Sequence, residues 1–472
     1  MQAYGRHPMA DPASHSPFRT ELGATVRLAA PLAAANLLQM AVYAVDVVFV
    51  ARLGQEPLAA ASLSVSLFGL FVWGITGLTS AVAPLIAAEL GRRGHAVREV
   101  RRSIRMALWL TVLAGLVTIV ICGFGEEIML ATGQNPRIAA QAGGFLDILR
   151  WSAIPMVAAS VLRIFVSALD RPGFAIAITA LSLGVNALGN YVLVFGNFGA
   201  PALGLNGSAI ASNITAVATV IAYVLAIRSD RRMRRYHILG RFWRPEWERL
   251  RQIVRIGIPI GLTVMAEGGL FGAAAFLMGR IGAAELAAHT VAIQFAAIAF
   301  QVPFGIGQAA TIRVGFHFGA GDHEAISRAG RAGLVIGAGF AILPACAMLL
   351  APRALLSVYL DVSAPANAAM VAFAVQFMAV AAAFQLFDAI QAVSAGILRG
   401  VQDTRVPMMI AVTGYWLCGF TVAAVLGFGT RLEGLGVWIG LAVGLVVVAA
   451  LLQRRWRRRA VLGLLPAGIG AA

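Results

Sequence analysis

Apolar residues in this chain gather into runs of about 20, bounded by charged or turn-forming residues; a helix of that length crosses the hydrocarbon of a bilayer. Six runs precede a long basic segment: Leu28–Val50, Ser62–Ala88, Ala107–Gly123, Phe145–Leu169, Phe174–Phe195 and Gly204–Ile227. Six follow it: Ile256–Gly279, Ala288–Val314, Gly333–Leu350, Met370–Leu398, Val406–Gly427 and Gly434–Leu452. The pattern predicts an all-α integral membrane protein of twelve transmembrane helices.

A repeat orders the runs. At a fixed offset of 228 residues, Pro31 meets Pro259, Arg52 meets Arg280, Gly54 meets Gly282, Gly77 meets Gly305, Gly91 meets Gly319 and His95 meets His323. Each half holds an even number of spans, so both halves share one orientation and are expected to form two homologous six-helix lobes. A pseudo-two-fold axis along the membrane normal relates lobes of that kind. The implied division is an N-terminal tail at 1–27, an N-lobe at 28–227, a basic linker at 228–255, a C-lobe at 256–452 and a basic tail at 453–472. Pro245-Glu246-Trp247 reads as an interfacial turn in the linker.

Composition changes the picture in two respects. With 60% hydrophobic and 12% charged residues and a mean hydropathy of +0.82, no soluble domain of ordinary size fits between the spans. The net charge of +16 comes from arginines grouped after even-numbered spans, such as Arg92, Arg98, Arg101, Arg102 and Arg105, the group from Arg228 to Arg244, and Arg454 to Arg459. That grouping is the positive-inside pattern, so the charge reports topology, with both termini cytoplasmic, and not a nucleic-acid partner. Cys122, Cys346 and Cys418 all lie inside apolar runs and encode neither a disulfide framework nor a zinc site. The polar N-terminal stretch lacks a secretory core, and the first span is expected to act as an uncleaved start-transfer segment.

The candidate chemistry lies in the few polar residues within the spans. Asn36, Gln39, Tyr43 and Asp46 share one face of the first helix. Under the repeat Gln39 corresponds to Glu267 and Asp46 to Ala274, so each first helix carries one acid at a different level. Ser182, Asn186 and Asn190 line a face of the fifth span, and Asn206, Ser208 and Asn213 occupy the sixth; they are candidate partners of Asp46 or hydrogen-bonding glue between helices. In the second half, Gln294, Gln301 and Gln308 recur every seven residues, and Gln385, Asp388 and Gln391 share a face of the tenth span. Asp388 lies about 16 Å along that helix from Arg399, at a depth similar to Glu267. Two carboxylates at one depth are costly unless at least one holds a proton or a cation. No Arg or His is expected at that depth in this half: Arg163 is placed to snorkel from the fourth span and His289 at the outer end of the eighth. Glu89 and Asp147, near span ends, are expected to be solvated.

No HExxH, GxSxG, Walker or dinucleotide motif occurs in a suitable context, and no nucleotide domain is present to drive a pump. Uphill work would then draw on an ion gradient.

The run Pro303-Phe304-Gly305-Ile306-Gly307-Gln308-Ala309-Ala310-Thr311-Ile312-Arg313-Val314-Gly315, followed by Gly319-Ala320-Gly321-Asp322, resembles the multidrug and toxic compound extrusion (MATE) family in its NorM-like bacterial branch. Arg399-Gly400, Asp403-Thr404-Arg405-Val406-Pro407 and Val45-Asp46-Val47 fit the same pattern, and the resemblance runs from about Leu22 to Arg459. It implies a secondary multidrug antiporter of the bacterial inner membrane, not an enzyme. Such an antiporter would export cationic or amphipathic small molecules in exchange for Na⁺ or H⁺, without a cofactor and as a monomer in the lipid bilayer. It also implies a C-lobe cation and substrate site at Glu267 and Asp388 with Gln294 and Gln385, the two acids ligating Na⁺ if sodium is the coupling ion. Asp46 would bind a proton or cation in the N-lobe, with Asn36, Gln39, Asn186, Asn190 and Ser208 around it. Where some relatives have a tyrosine one turn before each aspartate this chain has Val42 and Phe384, and Asn190 stands where some have an acid. The rival expectations are a lipid-linked saccharide flippase of the same superfamily, which would need basic residues in its cavity, and an intramembrane enzyme using Glu267 and Asp388.

Overall fold

A computed structural model describes residues 17–92, 96–240 and 242–466. The tail before Pro17, Arg93, His95, Arg241 and residues 467–472 lie outside the described residues. The described residues form helices and connecting turns without strands. Among the described residues, twelve helices are long and apolar enough to cross a membrane: α1 (Pro17–Ala51), α2 (Gln55–Gly91), α3 (Ala96–Cys122), α4 (Pro136–Ala168), α5 (Gly173–Phe195), α6 (Leu205–Ser229), α7 (Trp247–Ile281), α8 (Ala283–Ala320), α9 (His323–Leu350), α10 (Pro365–Gly400), α11 (Arg405–Gly429) and α12 (Glu433–Arg457).

The helices outrun the apolar runs, because a helix satisfies its own backbone whether a side chain meets lipid or water. The run at 288–314 thus becomes a helix of 38 residues. The same extension shortens the connection between the halves to 230–246, within which Asp230 caps the short helix Arg231–Arg234. Glu246 does not form a free interfacial turn; it accepts hydrogen bonds from Arg102 and Arg105 at the start of α3. The Gly319–Asp322 motif makes the α8–α9 corner: Gly321 ends α8 at φ 71°, and the Asp322 carboxylate accepts the Ala325 N–H at 2.8 Å. Within α11, Thr413–Phe420 winds as π-helix, and the Trp416 indole donates to the Ala266 carbonyl of α7 at 3.2 Å.

The two bundles meet through α1 on α8, α2 on α7 and α2 on α8. Shifting by 228 residues exchanges the first two pairs and maps the third onto itself, as a two-fold relation requires. The repeat's glycines are the contact points. A Cβ on Gly77 of α2 would stand 2.7 Å from the Gly261 Cα of α7, and one on Gly305 of α8 would stand 2.7 Å from the Ala33 nitrogen of α1. Ala33 and Gly261 are themselves repeat equivalents. Nearer the end that holds both described termini, a Cβ on Gly91 would meet the Phe316 carbonyl at 1.9 Å, and one on Gly319 the Ala88 carbonyl at 1.9 Å.

At that end, ion pairs tie the lobes. Arg313 of α8 grips Glu21 of α1 through two hydrogen bonds of 2.8 and 2.6 Å, with His317 Nε2 at 3.4 Å from the same carboxylate. On the other flank Arg249 of α7 donates to Glu89 of α2 at 3.1 Å and to Glu99 of α3 at 2.8 Å. Glu89 is therefore paired across the interface, contrary to the solvated position expected from its place near a helix end. Asp147 is mostly exposed, beside Arg150.

Glu21 is only 7% exposed, so Arg313→Ala would strand a buried carboxylate. The expected loss is about 3 kcal/mol of unfolding free energy, with most of it regained in Glu21→Ala/Arg313→Ala. Chaotrope unfolding in detergent measures both; equal losses in the two variants would show that the pair is not the cause.

Candidate functional site

Each lobe encloses its own polar cluster. In the N-lobe, Asp46 projects from α1 toward α5 and α6. Its Oδ1 accepts hydrogen bonds from Asn186 Nδ2 at 2.9 Å and Asn190 Nδ2 at 2.8 Å, and its Oδ2 accepts one from Ser212 Oγ at 3.3 Å. The two carboxamides reach one oxygen because they sit one turn apart on α5. Asn190 Nδ2 also donates to the Asn186 carbonyl at 3.0 Å, while its Oδ1 has no protein partner among the described residues. The hydroxyl beside Asp46 is thus that of Ser212, one turn beyond Ser208. Ser208 is 1% exposed and makes no hydrogen bond to the carboxylate, so it does not occupy the partner position that the resemblance assigns it.

Asn36 lies away from Asp46. Its Oδ1 accepts from Arg163 Nη1 at 3.3 Å, and its Nδ2 is left without a partner. Arg163 therefore points into the lobe and does not snorkel to the membrane edge. Gln39 stands beside Tyr43, which feels the charges of both Arg163 and Asp46.

In the C-lobe, Glu267 of α7 and Asp388 of α10 lie close enough for their charges to act on one another. Asp388 is 5% exposed, whereas Glu267 is only half-buried. Gln391, one turn along α10 from Asp388, stands beside both Glu267 and the Tyr415 hydroxyl. Tyr415 comes from the π-helical stretch of α11, whose wide turn sets it inward while Trp416 caps α7 at Ala266. Arg399 of α10 attracts Glu267 from the terminal side without a direct salt bridge. With Gln391, Thr263 and Thr404 it lines an internal cavity of about 10 Å³, room for one water. A base is therefore present near Glu267, contrary to the expectation that no Arg stands at that depth.

Five polar atoms of this cluster have no protein partner among the described residues: Gln385 Nε2 and Oε1, Asp388 Oδ1, Gln391 Oε1 and the Tyr415 hydroxyl. Buried polar atoms in such number are normally satisfied by water, an ion or a ligand. They are oxygen-rich, which suits a proton, an alkali cation or an organic ammonium. Among the described residues no three His, Cys, Asp or Glu side chains converge as a metal site. Fully ionised, two carboxylates against one guanidinium leave one negative charge for a cation to balance. Gln294 is exposed on α8 and makes no side-chain hydrogen bond among the described residues. Phe384 does not line the site but stacks on the buried Trp438, with ring centroids 5.8 Å apart. His289 packs on the same indole at 5.5 Å.

Twelve spanning helices in two lobes, each with a buried acid cluster, define a multi-pass membrane transporter. The family model MatE matches the chain twice, at residues 31–192 and 259–425, and the chain belongs to that family. The chain is 45% identical over 443 residues to a probable multidrug resistance protein NorM of Mesorhizobium japonicum, covering 94% of this chain and 95% of the relative. It is 37% identical to the multidrug resistance protein NorM of Burkholderia vietnamiensis, covering 92% of each. Among solved structures, the eukaryotic MATE transporter AtDTX14 superposes with a TM-score of 0.84 at 21% identity, covering 95% of this chain and 100% of that one. A multidrug resistance MATE family transporter in an outward-facing conformation gives 0.84 at 18% identity, covering 95% and 97%.

Asn190→Ala removes the closest donor to Asp46 and is expected to cost about 1–3 kcal/mol. Ser208→Ala breaks no hydrogen bond to the carboxylate and should cost less than Asn190→Ala. Detergent unfolding at neutral pH compares them, and equal costs would contradict the hydrogen-bond assignment.

Proposed function

We propose that this protein is an ion-coupled multidrug exporter of the bacterial inner membrane, working by alternating access between its N-lobe (28–227) and C-lobe (256–452). The observation that carries the reading is the C-lobe cluster: Glu267 and Asp388 with a single counter-charge, Arg399, among polar atoms that have no protein partner. A cationic or amphipathic substrate fits the one unbalanced negative charge. Na⁺ or H⁺ fits it equally, so coupling arises because the acids cannot serve drug and ion together. Gln385 and Gln391 supply carboxamide oxygens to either ligand. Asp46, held by neutral donors alone, is a second cation or proton site in the N-lobe, with Asn186, Asn190 and Ser212 as its partners.

Names of the relatives support drug export, and the arginine distribution supports placing both termini in the cytoplasm. The lobe contacts at the terminal end would then seal the cytoplasmic side, which supports reading this state as outward-facing. In the inward-facing state those contacts part and the acids meet substrate from the cytoplasm. A single chain supplies both lobes and both acid clusters, which supports function as a monomer. A flippase for a diphosphate-bearing lipid is less well supported, since the C-lobe cluster carries net negative charge.

Ethidium efflux in a host lacking its own exporters tests the site. Glu267→Gln and Asp388→Asn are each expected to slow it about tenfold or more, roughly 1.4 kcal/mol in a rate barrier; near-normal efflux in both would overturn the C-lobe site. Tyr415→Phe removes a hydroxyl whose one near neighbour is Gln391, so it should cost no more than about 1.5 kcal/mol of unfolding stability while weakening drug binding in equilibrium titrations. Drug-driven flux in proteoliposomes, with Na⁺ and H⁺ gradients imposed separately, identifies the coupling ion.

A further inference from the structure

Beside the transport machinery, a cavity of about 660 Å³ opens between α7 and α11 near the terminal end. Its charged lining residues are Arg255, Arg405 and Asp403. Asp403 is already held by Arg455, at 2.5 and 3.2 Å from Nε and Nη2, so its charge is answered inside the protein. Arg255 and Arg405 are both exposed and pair with no acid among the described residues. Each immediately precedes the apolar run of its helix, which puts both guanidinium groups at the level where hydrocarbon gives way to headgroups.

The rest of the lining completes a site. Thr404, 6% exposed, lines this cavity and makes no capping bond to α11, so the Arg405 and Val406 N–H groups at the start of that helix have no side-chain cap. Uncapped N–H groups and the helix dipole favour an anion. Gln252 accepts from Arg249 at 2.7 Å through its oxygen, which leaves its amide N–H groups as donors. Further along α7 the walls become apolar, and Ile258 and Leu262 are 49% and 45% exposed on the strip that turns away from the lobe. Donors and positive charge at one end with outward-facing apolar side chains at the other match an anionic phospholipid lying lengthwise along the groove.

We propose that this α7–α11 groove is a binding site for one anionic phospholipid, its phosphate held by Arg255, Arg405, Gln252 and the α11 N-terminus and its acyl chain along Ile258, Leu262 and Met408. The lipid would fill the gap beside the α7 segment leading to Glu267, so its occupancy would brace a helix of the transport site.

Native mass spectrometry of the full chain in detergent, titrated with dioleoylphosphatidylglycerol or dioleoylphosphatidylcholine, tests the assignment. Wild type should retain one phosphatidylglycerol in preference to phosphatidylcholine, and Arg255→Gln/Arg405→Gln should lower that preference at least fivefold. The matched variant Arg228→Gln/Arg232→Gln, with exposed arginines outside the groove, should keep it. Met408→Trp, which fills the groove and leaves both arginines, should also lose the retained lipid. An unchanged preference in both groove variants would overturn the site, as would equal loss in the matched variant, which would mark bulk surface charge. Retention of phosphatidylcholine as firmly as phosphatidylglycerol would overturn the anion assignment. Displacement of the lipid by millimolar inorganic phosphate would show that a free anion, not a lipid, is the occupant.

Discussion

Everything in this molecule hangs on how closely two helical bundles approach where lipid offers no hydrophobic drive to push them together. Association inside a bilayer relies on packing and polar contact, and both need backbones within reach. Gly77 against Gly261 and Gly305 against Ala33 bring the lobes that close, and Gly91 and Gly319 do the same beside the ion pairs. A side chain at any of these positions would meet backbone atoms, so the bundles would separate or tilt. The acid clusters are thereby set on either side of a seam whose closed end is defined by glycine.

The two lobes treat their buried acids differently. Asp46 is embraced by three neutral donors and needs no counter-charge to be satisfied as a carboxylate. Glu267 and Asp388 have the opposite arrangement: a distant guanidinium, few direct partners and several idle polar atoms around them. In the first the carboxylate itself is satisfied, although Asn190 Oδ1 beside it is not; in the second the acids themselves sit in an unfinished network. An unfinished network of high polarity at low dielectric is expensive, and the expense is recovered only when something binds.

Much of this was legible in the residues themselves. Hydrophobic run length located all twelve helices, since length and apolarity are what a bilayer selects. The repeat glycines were visible as matches but not as contacts, because an offset says which residues are alike and not which ones touch. From spacing alone Asn186 and Asn190 are legible as partners of Asp46 or as glue between helices, and only the resemblance favours the first; that the hydroxyl is Ser212 and not Ser208 depends on the rotation of α6, which the sequence does not set. Tyr415 gave no signal: its inward position comes from a π-helical turn, and hydrophobic periodicity assumes 3.6 residues throughout. Arg163 and Arg399 were misjudged for a shared reason. A long side chain carries its charge several ångströms from its backbone, and the direction is set by neighbours that the sequence does not place.

The interface ion pairs have a consequence for assembly. Glu21 and Arg249 are repeat equivalents, as are Glu89 and His317, yet the signs are exchanged. The first-half helices α1 and α2 therefore supply the acid in both pairs and the second-half helices α7 and α8 the base. Had two N-lobes met along the same seam, Glu21 would face Glu89; two C-lobes would set Arg249 against His317 and Arg313. Like charges brought together in this way repel, so each lobe recognises only the other kind. Sequence halves that remain alike in backbone have become unlike in charge at these two contacts, which disfavours pairing of like with like.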